Sequence, residues 1–234
     1  MAVKRIIVLA SGRGSNFAAI ALAIQKKKLT NAKIIALFTN NPAAPAIEIA
    51  RQHKIPVLAI SQSAARDADD RALCAQLKTL EFDFIVLAGY LRVIGPQVLA
   101  AFAHQMINIH PSLLPSFKGL KAQQQALDYG VGWTGCTVHF VSAEVDNGTI
   151  IGQSILKLKA TDTAESLAQR LLPLEHKLYL RSLQKLVTTP YRIQGRRLVW
   201  EKPAKKPISP KRNKGPSPKA KLLKVKQSPR SLRK

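Results

Sequence analysis

Short apolar runs alternate with longer amphipathic stretches along most of this 234-residue chain. The runs are rich in Ile, Val and Leu, as is typical of strands that are buried on both faces of a parallel sheet. They predict strands at residues 5–10, 34–38, 57–60, 84–88 and 106–110, and the other stretches predict helices at 17–28, 45–53, 69–79, 96–103 and 163–187. This alternation predicts an α/β fold with a doubly wound, mostly parallel sheet and helices on both faces.

One pair of runs has a different connection. Residues 137–141 and 149–156 flank the tripeptide Asp146-Asn147-Gly148. Asn-Gly and Asp-Gly pairs favour the tight turns that join antiparallel strands. We therefore expect an antiparallel hairpin at one edge of the sheet.

The C-terminal end of the chain differs in composition from the rest. Residues 201–234 hold thirteen Lys or Arg against one Glu, which is half of the net charge of +24, together with six of the fourteen prolines. Such a segment buries too little apolar surface to offset its ordering entropy. We expect a catalytic domain at 1–189 and a disordered basic tail at 190–234.

Cysteine content and hydropathy indicate the cellular compartment of the protein. Cys74 and Cys136 lie in apolar patterns without metal-ligand spacing, which predicts buried thiols in a reducing cytosol. The N-terminus lacks the pattern of a signal peptide, and no apolar run approaches the ~18 residues that span a bilayer. These features predict a soluble, cytoplasmic protein.

A glycine-rich turn follows the first predicted strand. Free backbone N–H groups where a strand meets a helix favour an anion, and Gly12 and Gly14 would let it approach closely. The dinucleotide-binding pattern fails, because its third glycine would fall at Phe17. The turn is therefore either a site for a single phosphate group or a plain connection.

The strand at 106–110 places two polar side chains at alternate positions, Asn108 and His110. Alternate side chains share one face of a strand, and Pro111 ends the strand because it has no N–H to donate. An amide beside an imidazole can polarise a carbonyl and move a proton. The alternative is that both simply cap a turn, and Asp146 has a similar alternative as a turn residue.

Other polar residues are predicted to have structural roles. His139 lies inside an alternating strand and His104 beside a helix end, so both are predicted to be structural. Glu175 and His176 could be an ordinary solvated pair on the last helix.

Taken together, the motifs resemble the phosphoribosylglycinamide formyltransferases, folate-dependent transferases of purine biosynthesis and one-carbon metabolism. The resemblance covers about residues 3–188 and implies their Rossmann-like fold. The matching motifs are Gly14-Ser15-Asn16, Asn108-x-His110-Pro-Ser-Leu-Leu-Pro, Gly119-Leu120 ahead of Gln125-Ala126-Leu127, His139-Phe140-Val141 before Asp146-x-Gly148, and Glu175-His176-x-x-Tyr179.

The resemblance implies transfer of a formyl group from 10-formyltetrahydrofolate, as co-substrate, to the amine of glycinamide ribonucleotide, without a metal or a bound cofactor. Asn108 would donate to the oxyanion, His110 would stabilise it and protonate the leaving folate nitrogen, and Asp146 would hold His110 and raise its pKa. The implied ribonucleotide contacts are Gly14, Ser15, Asn16 and Glu175, and the implied folate contacts are Arg66, Leu91, Arg92, Val93, Ile94 and Asn108.

Residues 171–174 depart from the pattern, because some relatives commonly carry glutamines there. Three alternatives remain: a formyltetrahydrofolate hydrolase, a tRNA formyltransferase-like enzyme, and a nucleic-acid-binding protein on an inactive formyltransferase fold. For the basic tail, weak binding of polyanions such as RNA stands beside a solvated tail without a partner.

Overall fold

Seven strands form one sheet in the computed structural model, which describes residues 2–60, 62–63 and 65–201. The order across the sheet is β3-β2-β1-β4-β5-β6-β7. The strands are β1 Lys4–Leu9, β2 Ala32–Thr39, β3 Val57–Ala59, β4 Phe84–Leu87, β5 Met106–His110, β6 Trp133–Phe140 and β7 Ile150–Lys157. The helices are α1 Ser15–Gln25, α2 Ala46–Gln52, α3 Arg66–Lys78, α4 Pro96–Phe102, α5 Ala122–Tyr129 and α6 Ala164–Thr188.

The first five strands pair in parallel, and β6 and β7 add an antiparallel edge. Alternate side chains of β1 enter two different cores, with Ile6 and Val8 in one and Ile7 and Leu9 in the other. Helices cover both faces for that reason. The predicted doubly wound sheet and its antiparallel edge are confirmed.

The order of strands reverses between β1 and β4. From β1 the chain moves outward through β2 and β3, and it returns to the other side of β1 as β4. In open α/β sheets the crevice at the carboxyl ends of two such strands is the usual ligand site. Tyr179 of α6 is fully buried, and its hydroxyl proton is shared between the carbonyl oxygens of Leu87 on β4 and Ile107 on β5, each 2.9 Å away.

Two features were not predicted from the sequence. Helix α5 was missed, and a small hairpin of β8 Tyr191–Gln194 and β9 Arg197–Trp200 follows α6. Tyr191 packs on Phe140 and Trp200 with ring centroids 5.8 Å apart in each case, and Lys185 Nζ lies 4.1 Å from the Trp200 ring centroid. Residues 191–200 are therefore folded, which corrects the predicted start of the tail at 190.

The remainder of the predicted tail, residues 202–234, lies outside the described residues. Cys74 and Cys136 are both free and buried, as predicted. Within the described ranges, no helix combines the length and apolar character needed to cross a bilayer.

Candidate active site

A cleft of about 530 Å³ opens at the carboxyl ends of β4 and β5. It brings together most residues that the sequence singled out. Its lining includes Leu91, Arg92, Val93, Ile94, Asn108, His110 and Asp146. Residues more than fifty positions apart in the chain thus meet in one cavity of the size that small-molecule sites have.

The imidazole of His110 is buried, and both of its nitrogens face an acceptor. Nδ1 lies 3.1 Å from Oδ2 of Asp146, and Nε2 lies 2.8 Å from the carbonyl oxygen of Phe117. An imidazolium can donate through both nitrogens at once, whereas a neutral ring can donate through only one. The contacts therefore suit the charged form.

Burial acts in the opposite direction on the same ring. It lowers the pKa of His110, and the Phe117 carbonyl and the Asp146 carboxylate, which favour the charged form, offset this only in part. The resemblance of the motifs implies that Asp146 raises this pKa. The contribution of Asp146 has that sign, but the net direction is downward because His110 is only 5% exposed.

The loop between β6 and β7 carries Asp146 in the left-handed backbone region, with φ of 51°. Two residues later the loop returns so tightly to β6 that a Cβ on Gly148 would lie 1.7 Å from the carbonyl oxygen of Phe140. Asp146 therefore reaches into the cleft from a loop that is fixed at its end.

Three groups surround the Asp146 carboxylate. Oδ2 accepts from the N–H of Gly119 at 2.9 Å and faces His110, and Oδ1 lies 3.5 Å from Nε2 of His139. Burial alone would raise the pKa of Asp146, but the close approach of His139, the Gly119 hydrogen bond and the nearby His110 imidazole hold it below its usual value. The group stays ionised near neutral pH and supplies a fixed negative charge to His110.

His139 joins this cluster, although the alternating pattern of its strand predicts a structural role. In the β5–β6 register it lies directly opposite Asn108. Its Nδ1 is 2.8 Å from the carbonyl oxygen of Phe140, so its Nε2 is the nitrogen that faces Asp146. The pairing of β5 with β6 brings His139 beside the site, and the hydrophobic alternation along β6 alone does not predict this.

The segment that follows His110 is anchored to β6. The Thr137 hydroxyl donates to the carbonyl oxygen of Ser112 at 2.7 Å and accepts from the N–H of Leu114 at 3.1 Å. Gln153 of β7 donates to the Thr137 hydroxyl and to the Leu114 carbonyl, at 3.0 Å each. These bonds fix the path of the chain that presents the Phe117 carbonyl to His110.

Residues 11–16, which we call the glycine turn, connect β1 to α1. Gly14 occupies the left-handed region with φ of 68°, and a Cβ there would lie 2.8 Å from Cβ of Ala46 on α2. A Cβ on Gly12, in contrast, would meet no atom within 4 Å. Gly14 is thus required by packing, while Gly12 lies beside open space where an anion can approach.

Asn16 and Glu175 form a pair across α1 and α6. Asn16 Nδ2 donates to Glu175 Oε2 at 3.1 Å, and Asn16 Oδ1 is buried without a hydrogen-bond partner among the described residues. Burial raises the pKa of Glu175, which the Asn16 bond offsets only in part. None of the residues 14–16 or Glu175 lines the cleft above, so they form a separate group beside it.

Arg66 lies in a smaller depression of about 360 Å³, which shares residues 90–94 with the cleft. In its wall, the guanidinium of Arg92 lies 2.9 Å from Oδ2 of the buried Asp69. Leu91 and Val93 are each 74% exposed, so this segment presents apolar side chains and backbone groups to a ligand. Among the described residues, no cluster of three or more His, Cys, Asp or Glu could hold a metal ion.

Comparison with known proteins identifies the family. Residues 4–183 match the family model described as formyl transferase. The chain belongs to the formyl transferase family. Among its curated relatives, the phosphoribosylglycinamide formyltransferase of Bacillus subtilis is 40% identical over 187 residues, which cover 79% of this chain and 95% of that relative.

Solved structures of formyl transferases share the fold as well as the sequence. Glycinamide ribonucleotide transformylase 1 from Symbiobacterium toebii aligns with a TM-score of 0.81 at 38% identity, covering 85% of this chain and 94% of that one. A formyltetrahydrofolate deformylase from Pseudomonas syringae pv. tomato aligns with a TM-score of 0.78 at 26% identity, covering 84% of this chain but 65% of that one. Similarity in sequence and in coverage thus favours the transformylase over the deformylase.

Proposed function

We propose that this chain transfers a formyl group from 10-formyltetrahydrofolate to the amine of glycinamide ribonucleotide in purine biosynthesis. The observation that supports this most directly is the placement of the His110 imidazole between the Asp146 carboxylate and the Phe117 carbonyl, on the same strand face as Asn108. The Bacillus subtilis and Symbiobacterium toebii proteins named for this activity match the chain over 95% and 94% of their own lengths.

In the proposed reaction, the amine attacks the formyl carbon and the carbonyl oxygen becomes an oxyanion. Asn108, which lines the cleft, donates its amide N–H to that oxygen. The bond between the formyl carbon and the folate nitrogen then breaks, and His110 protonates the leaving nitrogen. The attacking amine loses one proton to solvent and solvent returns one proton to His110, so the reaction balances and the protein ends the cycle in its initial state.

The two nitrogens of His110 have different roles in this scheme. Nδ1 stays with Asp146, which holds the ring orientation and stabilises its charge. Nε2 exchanges the Phe117 carbonyl for the substrate, because it is the nitrogen that does not face the carboxylate. The proton transfer therefore requires the loop around Phe117 to yield this contact when folate binds.

The acceptor substrate is assigned to the glycine turn and to the pair of Asn16 and Glu175. Backbone N–H groups at the start of α1, with Ser15, suit the 5′-phosphate. Glu175 has carboxylate lone pairs beyond the single Asn16 bond, and they suit the N–H groups of the glycinamide end. Folate would lie along residues 91–94, with Arg66 facing its glutamate carboxylates.

Formyl transfer from 10-formyltetrahydrofolate, measured with glycinamide ribonucleotide, water and initiator tRNA as separate acceptors, tests the proposed function. We expect turnover only with the ribonucleotide, and His110→Ala should lower it roughly 10²–10⁴-fold. His104→Ala, which changes an exposed histidine, is the matched control and should be unaffected. Near-normal turnover in folded His110→Ala, or preferred transfer to water or tRNA, would overturn the assignment.

Two wider proposals rest on composition. Residues 202–234 carry thirteen Lys or Arg and no acidic residue, so we propose weak, salt-sensitive binding of polyanions such as RNA by this segment. The two free cysteines support a location in the reducing cytoplasm.

A further inference from the structure

Ser11 follows the carboxyl end of β1 and is hydrogen-bonded to the segment that follows β4. The residue is buried and belongs to the glycine turn. The segment after β4, residues 89–94, lies beside it and carries the proposed folate contacts. This is the point at which the strand order reverses.

Four hydrogen bonds converge on this single serine. Its hydroxyl donates to Oδ1 of Asn40 at 2.6 Å and accepts from the N–H of Leu91 at 3.0 Å. Its own N–H donates to the carbonyl oxygen of Gly89 at 3.1 Å, and its carbonyl oxygen accepts from Nδ2 of Asn41 at 3.1 Å. Ser11 thereby joins the glycine turn to the ends of β2 and β4.

We propose that Ser11 is a positioning residue that couples the ribonucleotide site to the folate site. The proposal rests on the proposed function, because it assigns one ligand to each side of the serine. A phosphate held by the glycine turn fixes the peptide of Ser11, and with it the hydroxyl that accepts from Leu91. The segment at 89–94 then loses less conformational freedom when folate binds, so the first ligand favours the second.

The bond to Leu91 carries this coupling because the segment has no regular secondary structure. Residues 91–94 form neither helix nor strand, and Gly89 before them has φ of 77°. Asn40 orients the serine hydroxyl as a donor, which leaves its lone pairs for the Leu91 N–H. A side chain without a hydroxyl at position 11 would leave both partners unpaired.

The coupling can be measured with a pair of ligands that cannot react. Glycinamide ribonucleotide and tetrahydrofolate lack a formyl group between them, so the Kd of tetrahydrofolate can be measured with and without saturating ribonucleotide. In the unmodified protein we expect the ribonucleotide to lower this Kd by about 5–150-fold, the usual range for coupled sites. In Ser11→Ala the ratio should fall to about twofold or less.

Two further variants isolate the hydrogen bond. Ser11→Cys keeps the same side-chain connectivity with a somewhat larger atom that bonds weakly, so it should lose the coupling like Ser11→Ala, and it carries the test if the alanine variant does not fold. Ser182→Ala removes a buried hydroxyl from α6 and should keep the unmodified ratio. Coupling retained in either Ser11 variant, or absent from an unmodified protein that binds both ligands, would overturn this inference alone. Failure of the unmodified protein to bind either ligand would overturn the proposed function as well.

Discussion

Replacing Asp146 by Asn isolates the electrostatic part of its contact with His110. The amide has nearly the shape of the carboxylate, and its oxygen can still accept from the N–H of Gly119. The negative charge facing Nδ1 of His110 is lost, and the oxygen that lies 3.5 Å from Nε2 of His139 becomes an NH2 group. Asp128→Asn, on the exposed side of α5, is the matched control.

The expected size of the effect follows from the geometry. At the observed 3.1 Å between Nδ1 and Oδ2, Coulomb's law gives about 1 kcal/mol in water and about 5 kcal/mol at an effective dielectric constant of about 20. Both side chains are less than a tenth exposed, which places the pair between these limits. A charge at this distance commonly shifts a pKa by about 1–3 units, or about 1.4–4 kcal/mol.

The pKa of His110, already lowered by burial, should therefore fall by about a further 1–3 units in Asp146→Asn. At pH 7 the imidazolium population would drop roughly 10–1000-fold. If the imidazolium is the acid, turnover at pH 7 should fall by a comparable factor and recover as the pH is lowered.

NMR titration of the histidine ring protons provides the direct measurement. The His110 signals are assigned as those missing from the spectrum of His110→Ala. The same titration midpoint for His110 in the unmodified protein and in Asp146→Asn would refute the reasoning, and Asp146 would then be only a turn residue. A changed midpoint in Asp128→Asn would show that the shift is not specific.

Three further outcomes follow from the structure. Gly12→Val should weaken binding of glycinamide ribonucleotide far more than binding of tetrahydrofolate in calorimetry, and equal loss of both ligands in the folded variant would contradict the phosphate assignment. Gly14→Val should instead lower the melting temperature, because its Cβ meets α2. Truncation after Glu201 should leave formyl transfer intact and abolish salt-sensitive RNA retention. Truncation after Thr189 should destabilise the fold by removing the β8–β9 hairpin, and unchanged chemical denaturation of this shorter protein would refute that expectation. Because the pKa of Asp146 is lowered in the folded state, its contribution to the free energy of unfolding is present above about pH 4 and lost as the pH falls; denaturant titrations should show a shallower acid loss in Asp146→Asn.

The sheet could be predicted because its strands follow a simple physical rule. A parallel strand buried on both faces must be apolar throughout, and residues 84–88 satisfy this without ambiguity. The β8–β9 hairpin does not, because its three arginines, at positions 192, 196 and 197, resemble the basic tail that follows. Its apolar face becomes evident only where Tyr191 and Trp200 pack against the domain.

The proximity of two site residues could be predicted when both lie on one strand, but not when they lie on two different strands. Asn108 and His110 share a face by their spacing alone, so their proximity could be predicted. The position of His139 opposite Asn108 depends on the antiparallel register of β5 and β6. The lack of room for a Cβ at Gly14 depends on the packing of α2. The net direction of the His110 pKa depends on burial, which no sequence motif contains.

Two glycines determine the alignment of β6 with its neighbours. Gly135 lies where a Cβ would be 1.9 Å from the carbonyl oxygen of Ser154, and Gly148 has a similar restriction against Phe140. A shift of β6 by one residue would turn Thr137 and His139 to the opposite face of the sheet. Formyl transfer would then be lost although the parallel part of the sheet remained intact. Recovery of activity during refolding is accordingly a measure of when the antiparallel edge reaches its native register, separate from the spectroscopic recovery of helix and sheet.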